Sequence, residues 1–144
     1  AAGAHGVHLG QADLPPDRAR AIAGGQLLIG VSCTTTAQAH AAVAGGADGI
    51  GIGPMFATAT KANPGGRTDG SLAGPPLLEA ILADPALAPL PHLAIGGIDA
   101  ARAHDLATLG CRGIAVSSIV CGSDDPEATT RSLTGASAPT TLAP

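Results

Sequence analysis

Two hydroxyl groups and an ammonium group lie within four residues of each other in the segment PMFATATK, which spans residues 54–61. Thr58 and Thr60 can donate hydrogen bonds, and Lys61 adds a positive charge. Donors of this kind bind phosphate and other oxyanions, most strongly when one of them is charged. The preceding run GADGIGIG (46–53) has the composition of a buried strand. We therefore predict an anion site after that strand; a solvated lysine in a surface loop is the alternative.

Two earlier apolar runs also end in polar side chains. Asp13 follows VHLG, where its carboxylate could ligate Mg²⁺ or cap the next helix, and we weigh these two roles equally. Ser32 ends LLIGVS and leads into CTTT, whose hydroxyls could bind a phosphate or cap a helix. Capping is the better interpretation for Thr35 or Thr36.

Two later runs end in residues that suit a phosphate group. The run LAIGGI contains Gly96 and Gly97, whose backbone N–H groups an anion can approach closely because no Cβ intervenes. In the run GIAVSSIV, Ser117 and Ser118 come directly after the apolar segment GIAV. Loops of this kind after the last two strands form the usual phosphate site of (β/α)8 barrels.

These segments belong to a strand and helix pattern that occurs five times. The predicted strands lie within GAHGVHLG (3–10), LLIGVS (27–32), GADGIGIG (46–53), LAIGGI (93–98) and GCRGIAVS (110–117). The predicted helices are PPDRARAIAGG (15–25), TTAQAHAAVAGG (35–46), GPPLLEAILADP (74–85), DAARAHDLATLG (99–110) and DDPEATTRSL (124–133). Apolar strands separated by helices predict an α/β fold with a parallel sheet, either open and doubly wound or part of a (β/α)8 TIM barrel. Glycine-rich strand ends favour the barrel, which needs more than five units, since a full one has roughly 200 residues or more.

Composition excludes several classes of function. The 144 residues predict one domain over 1–134, followed by a flexible tail over 135–144. A net charge of -4 without a Lys/Arg run argues against nucleic-acid and membrane partners. Three cysteines without a CxxC pair favour a reduced, cytoplasmic setting. The histidines show no metal-ligand spacing, and we assign a catalytic role neither to them nor to the cysteines. Self-association is left open.

The segments GVHLGQADLP, IGVS, GADGIGIGPMFATATK, LAIGGI and GIAVSSI, in this order and spacing, resemble thiamine-phosphate synthase. The match covers residues 3 to 133, and GPMFATATK is its most specific part. The resemblance implies a (β/α)8 barrel in which the five units are strands four to eight and the N-terminal units are missing. It also implies a transferase of thiamine biosynthesis that joins an aminopyrimidine methyl diphosphate to a thiazole phosphate and releases pyrophosphate with the help of Mg²⁺.

Site residues follow from the same resemblance, position by position. Asp13 corresponds to a Mg²⁺ ligand, while Ser32 and Lys61 correspond to catalytic contacts with the pyrimidine diphosphate. The residues that correspond to the thiazole-phosphate site are Thr58, Thr60, Gly97, Ser117 and Ser118. The implied chemistry is dissociative, because the diphosphate leaves before the thiazole nitrogen captures the pyrimidine cation; such a reaction needs charge neutralisation more than a general base.

Some positions depart from the family pattern. Ala12 stands where an acidic residue is frequent, Ala57 where Pro is usual, and Thr34 where a His commonly follows the strand-five Ser. The family's Arg-x-Lys and Asn-Asp segments have no counterpart in these 144 residues, so we expect a weak or inactive catalyst. Two alternatives remain open. One is the related thiazole tautomerase, which Thr34 argues against, and the other is a non-catalytic phosphate-binding barrel fragment.

Overall fold

The computed structural model describes residues 3–58 and 72–136. Its strands are β1 (Gly6–Leu9), β2 (Leu28–Cys33), β3 (Gly49–Ile52), β4 (His92–Ile95) and β5 (Ile114–Ala115). Its helices are α1 (Pro16–Ala23), α2 (Thr36–Ala44), α3 (Gly74–Ala83), α4 (Ala100–Thr108), α5 (Ser118–Cys121) and α6 (Pro126–Ala136). The five predicted strands and five predicted helices are confirmed, and the short helix α5 is an addition. Of the predicted tail, Gly135 and Ala136 belong to α6, and residues 137–144 lie outside the described ranges.

The sheet has the strand order β1-β2-β3-β4-β5, and every neighbouring pair is parallel. A doubly wound sheet would reverse its direction at a switch point, whereas here each strand is added on the same side of the last. Right-handed crossovers in such an order place the helices on one face of the sheet. The observed order is therefore TIM-barrel-like and not that of a doubly wound sheet.

The core lies between the helices and one face of the sheet. Ile29, Ile52 and Ala94 point to that face and are fully buried. Leu78 from α3 and Leu106 from α4 are buried against the same cluster. Burying a side chain of this size contributes roughly 1.5–3 kcal/mol, so this layer supplies most of the fold's stability.

The opposite face of the sheet differs in composition. Its residues alternate in register with the buried ones and include Gly30 and Gly51, together with Leu28, Leu93 and Ile95. These three apolar side chains are 61%, 46% and 45% exposed. We call this surface the glycine-rich face. Its glycines leave room for side chains from neighbouring strands, a feature that shapes the candidate site.

Three helices begin with side-chain caps, one of which, at Thr35, the sequence predicts. The side chains of Thr35, Asp99 and Asp125 each accept a hydrogen bond from the backbone N–H three residues later, at 3.2, 2.9 and 2.9 Å. Such a bond satisfies one of the backbone donors left without a partner at a helix start. The capping role predicted for Thr35 is thus confirmed.

The three cysteines, Cys33, Cys111 and Cys121, are free thiols. Burial raises the pKa of Cys33 to about 11, so this thiol stays protonated and is a poor nucleophile. Within residues 3–58 and 72–136, no helix combines the length and apolar character needed to cross a bilayer.

Candidate active site

A cavity of about 460 Å³ opens beyond the carboxyl ends of β2 to β5. Its walls include five of the residues predicted to bind substrate or phosphate, namely Ser32, Thr58, Gly97, Ser117 and Ser118. Apolar side chains line much of the remainder, among them Ile95, Ile98 and Ile119. An apolar pocket with a few convergent polar groups is the usual form of a small-molecule site. Thr60 and Lys61 lie outside the described residues.

The Gly96–Gly97 loop forms one wall of the cavity and requires glycine at both positions. Gly96 has a φ of +102° and Gly97 a φ of +64°, which side chains with a Cβ rarely adopt. A Cβ on Gly97 would also lie 2.9 Å from the Phe56 carbonyl oxygen. The Phe56 N–H donates to the Gly96 carbonyl at 3.0 Å. The loops after β3 and β4 are therefore packed backbone against backbone, and only glycine permits that approach.

Ser117 and Ser118 lie on the neighbouring loop, where the chain passes from β5 into α5. Both are exposed, and the Ser117 side chain does not cap the helix that follows it. A hydroxyl not used by the helix can turn its hydrogen toward a bound oxyanion. Gly97, Ser117 and Ser118 thus lie on the same cavity, as the sequence predicted for the ends of two neighbouring strands.

Ser32 lies near the end of β2 and contacts a histidine that sequence reasoning had set aside. His8 Nε2 is 2.9 Å from Ser32 Oγ, and the Gln11 amide donates to the Ser32 carbonyl at 2.6 Å. The His8 imidazole lies over two glycines of the glycine-rich face: an added Cβ would come within 2.6 Å of its ring at Gly30 and 3.1 Å at Gly51. The signal was present in the sequence, because His8 alternates with the apolar residues of β1 and so points to the opposite face.

Asp13 follows β1 and does not line the cavity. Its carboxylate accepts a hydrogen bond from the Gly10 backbone N–H at 2.7 Å, whereas α1 begins at Pro16 without a side-chain cap. The capping interpretation of Asp13 is therefore wrong, because the chain turns back on Gly10 before the helix starts. Among the described residues, no three His, Cys, Asp or Glu side chains are grouped to hold a metal ion. One exposed carboxylate still suits Mg²⁺, which commonly takes one or two protein ligands and fills its other positions with water and substrate phosphates.

Thr34, which stands where a His is common in the family, does not line the cavity. It is 5% exposed, and its N–H and hydroxyl donate to the Gln38 side-chain oxygen at 2.7 and 3.0 Å. Thr34 stabilises the start of α2, since its bonds to Gln38 add to the capping bond between Thr35 and the Gln38 N–H. The structure therefore gives Thr34 a local role in the fold.

Arg102 is a charged residue of the cavity wall that was not predicted from the sequence. It lies in the first turn of α4, and its guanidinium donates to the Gly97 carbonyl at 2.6 Å. The Asp99 carboxylate lies 3.6 Å from Nε. The position of Arg102 in the sequence, shortly after the glycine pair, could have predicted this contact. The first turn of a helix that follows a βα loop lies beside that loop.

Comparison with known proteins agrees with this arrangement. A family model described as "Thiamine monophosphate synthase" matches residues 1–120. The thiamine-phosphate synthase of Roseiflexus sp. (strain RS-1) is 40% identical over 130 residues, which cover 90% of this chain and 52% of the relative. The thiamine-phosphate synthase of Chlorobium limicola is 40% identical over 135 residues, covering 94% of this chain and 60% of the relative. The chain thus spans about half to three fifths of these relatives.

Solved structures give the same result. The thiamine phosphate pyrophosphorylase from Pyrococcus furiosus superposes with a TM-score of 0.76 at 32% identity, over 92% of this chain and 58% of that one. A structure described as native KDPGal has a TM-score of 0.65 at 16% identity, over 93% of this chain and 58% of that one, and supports the fold alone. The matched family model shows that the chain belongs to the thiamine monophosphate synthase family, and the two relatives and the Pyrococcus furiosus structure agree with it.

Proposed function

We propose that this chain forms part of a thiamine-phosphate synthase, which condenses aminopyrimidine methyl diphosphate with thiazole phosphate to give thiamine phosphate and pyrophosphate. The observation that carries the proposal is the cavity in which Gly97, Ser117, Ser118 and Thr58 line the same space as Ser32. Hydroxyl and backbone donors suit a phosphate group, and apolar walls suit a flat heterocycle. Family membership supports the same reaction.

The chemistry of the cavity suits bond breaking by charge neutralisation. When the diphosphate leaves the pyrimidine methylene carbon, that C–O bond breaks and both electrons go to the leaving oxygen. The thiazole nitrogen then supplies the electron pair of the new C–N bond, so no proton has to be transferred at the reacting atoms. Donors positioned in an apolar site stabilise such developing charge more strongly than water does.

Each predicted residue has a role in this scheme. We assign Ser32 to the departing diphosphate and Thr58, Gly97, Ser117 and Ser118 to the thiazole phosphate. From the family resemblance, we assign Thr60 to the thiazole phosphate as well and Lys61 to the diphosphate. The tautomerase alternative expects a His at the position of Thr34. The Thr34 hydroxyl instead donates a hydrogen bond to the Gln38 side chain, which supports the synthase over the tautomerase.

Mg²⁺ is part of the proposal. Asp13 would contribute one carboxylate ligand, since it is exposed at the carboxyl end of β1, next to the strand that carries Ser32. The bound ion would neutralise negative charge on the diphosphate as it leaves. The remaining ligands would come from water, the diphosphate and carboxylates outside these 144 residues.

We also propose that the five βα units correspond to units four to eight of a (β/α)8 barrel. The sequential parallel order of the strands supports this assignment, as does the share of the relatives that the chain spans. In a closed barrel the glycine-rich face would point inward, and its apolar members, such as Leu28 and Leu93, would be covered by other strands. On this proposal the Arg-x-Lys and Asn-Asp segments of the family complete the site.

Titration calorimetry of the 144-residue chain tests the phosphate site. We expect the chain to bind thiazole phosphate, and pyrophosphate in the presence of Mg²⁺. The Ser117→Ala/Ser118→Ala double variant should bind thiazole phosphate roughly tenfold to a hundredfold more weakly, the effect of losing hydrogen bonds to a charged group. Ser132→Ala is the matched control, because Ser132 is an exposed α6 residue whose hydroxyl donates to the Thr129 carbonyl.

One outcome would count against the phosphate site, and another against the claim that further segments complete it. Equal binding by the double variant and the wild type would remove the serines from the phosphate site. Fast formation of thiamine phosphate by the 144-residue chain alone would show that the Arg-x-Lys and Asn-Asp segments are not needed.

A further inference from the structure

Arg102 contacts both of the loops that pack together beside the cavity. Its Nη1 donates to the Gly97 carbonyl, in the loop after β4, at 2.6 Å. Its guanidinium carbon lies 4.7 Å from the centre of the Phe56 ring, in the loop after β3. Cation and ring at this distance attract each other. One side chain thus joins two loops that also bond to each other through the backbone, from the Phe56 N–H to the Gly96 carbonyl.

The bond to Gly97 has a consequence for the cavity wall. In a trans peptide the C=O and N–H groups point in opposite directions, so a donor that fixes the Gly97 carbonyl also fixes the Ile98 N–H. Gly97 has little intrinsic preference for one backbone conformation. A contact from outside the loop is therefore an effective way to hold its peptide plane, and Gly97 and Ile98 both line the cavity.

The contact with Phe56 acts on the other loop. Phe56 packs against the core cluster, and it comes two residues before Thr58, which lines the cavity. Holding the Phe56 ring restricts the backbone that leads to Thr58. Phe56 is also the only Phe in a chain that has no Tyr or Trp, so its ring supplies an unambiguous spectroscopic label for this contact.

We propose that Arg102 is a positioning residue that clamps the Gly97 loop against the Phe56 loop and so sets the spacing between the phosphate-binding backbone and Thr58. The proposal rests on the phosphate site described under the proposed function. Direct contact between the guanidinium and the anion is the competing role. The two roles require different groups. Direct contact with the anion requires only a positive charge at this position, whereas the clamp requires the planar guanidinium of Arg102 and the aromatic ring of Phe56.

The first experiment needs no ligand. In the ¹⁵N-edited NMR spectrum of the wild-type chain, we expect the Arg102 Nε–Hε signal to be displaced by the ring current of Phe56 and to return to the ordinary range in Phe56→Leu. The amide signals of Gly97, Ile98 and Thr58 should shift in both Arg102→Lys and Phe56→Leu. Unchanged amide signals in both variants would overturn the clamp, whether or not the chain binds phosphate.

The second experiment titrates each protein with inorganic phosphate. We expect Arg102→Lys and Phe56→Leu each to raise Kd about tenfold, as for the loss of one hydrogen bond to a charged group. Arg131→Lys is the matched control, since Arg131 is an exposed α6 residue paired with Glu127, and its Kd should equal that of the wild type. Normal binding by Arg102→Lys would overturn the proposal, as would weak binding by Arg102→Lys combined with normal binding by Phe56→Leu. If the wild type binds no phosphate, the proposed phosphate site fails, and the first experiment alone decides the clamp.

Discussion

Polar side chains at the two ends of the parallel strands differ in their hydrogen-bond partners. At the amino ends, Arg20 donates to the carbonyls of Leu27 and Gly46 and to the Asp48 carboxylate, which also accepts from the Ile29 N–H at 2.7 Å. At the carboxyl ends, Ser117 and Ser118 expose their side chains to the cavity. The amino-end side chains bond to one another and to backbone, whereas the Ser117 side chain makes no capping bond to α5 and keeps capacity for a ligand. The comparison fits the proposal that the first set stabilises the fold and the second binds substrate, the division found in barrel enzymes generally.

The largest effect expected at the carboxyl ends comes from Gly97→Ala. The residue's φ of +64° costs an L-amino acid about 1–2 kcal/mol, and the new Cβ would collide with the Phe56 loop. Displacing the loop should weaken phosphate binding about a hundredfold, as expected for two lost hydrogen bonds to a charged ligand. Titration with inorganic phosphate measures it. Gly135→Ala is the control, because an added Cβ there meets nothing within 4 Å. Equal binding by Gly97→Ala and wild type would contradict a role for this loop.

At the amino ends, Asp48→Ala should act on stability and not on binding. It removes the acceptor of the Ile29 N–H and the partner of Arg20, which are 2.7 and 2.5 Å from the carboxylate. We expect a loss of about 1–2 kcal/mol in the free energy of unfolding, toward the low end of charged hydrogen bonds because the Asp48 side chain is 42% exposed. Urea unfolding measures it, and Asp124→Ala, at an exposed carboxylate before α6, is the control. A change in phosphate affinity without a change in stability would reverse the comparison.

His8→Leu tests whether Ser32 belongs with the carboxyl-end groups. With Nε2–H donating to Ser32 Oγ, the serine hydrogen stays available for an anion. We expect His8→Leu to weaken pyrophosphate binding in the presence of Mg²⁺ about tenfold, the effect of one misdirected hydrogen bond to a charge. His8→Gln should recover part of that affinity, since its amide can also donate. His104→Gln, at an exposed position of α4, should match the wild type. Full affinity in His8→Leu would show that His8 only fills space.

The smallest effect is a pH dependence at the amino ends. The hydrogen bond from the Ile29 N–H, followed by that from Arg20, holds the pKa of Asp48 below its ordinary value of 3.8. A lowered folded-state pKa stabilises the fold above the unfolded pKa, and this contribution is lost as the pH falls from about 5 through the folded pKa. Asp48→Asn should therefore lose less stability than the wild type between pH 7 and pH 3 in urea unfolding. If the free energy of unfolding changed with pH in the same way in both proteins, the Asp48 carboxylate would not contribute to the pH dependence of stability.

The elements were predictable because their signals are local. Glycine at the end of a helix, a short apolar run and a Thr or Asp before the next helix are read within a few residues. The same locality made most of the site predictable: residues that follow parallel strands meet at one edge, which is why Ser32, Thr58, Gly97, Ser117 and Ser118 share a cavity. Helix α5 was missed because the four residues Ser118–Cys121 are too few to show a helical period.

By itself, the sequence determined the five βα units, the cap at the start of α2, the glycines at the strand ends and the family to which the chain belongs. Only the tertiary structure decided the strand order, the contact of His8 with Ser32 across 24 positions, the contact of Arg102 with Phe56 and the turn of Asp13 toward Gly10. The physical reason is the range of the interactions. Propensity and capping act between residues close in the chain, whereas side-chain partners across a sheet depend on its order and register, which are set by packing of the whole domain.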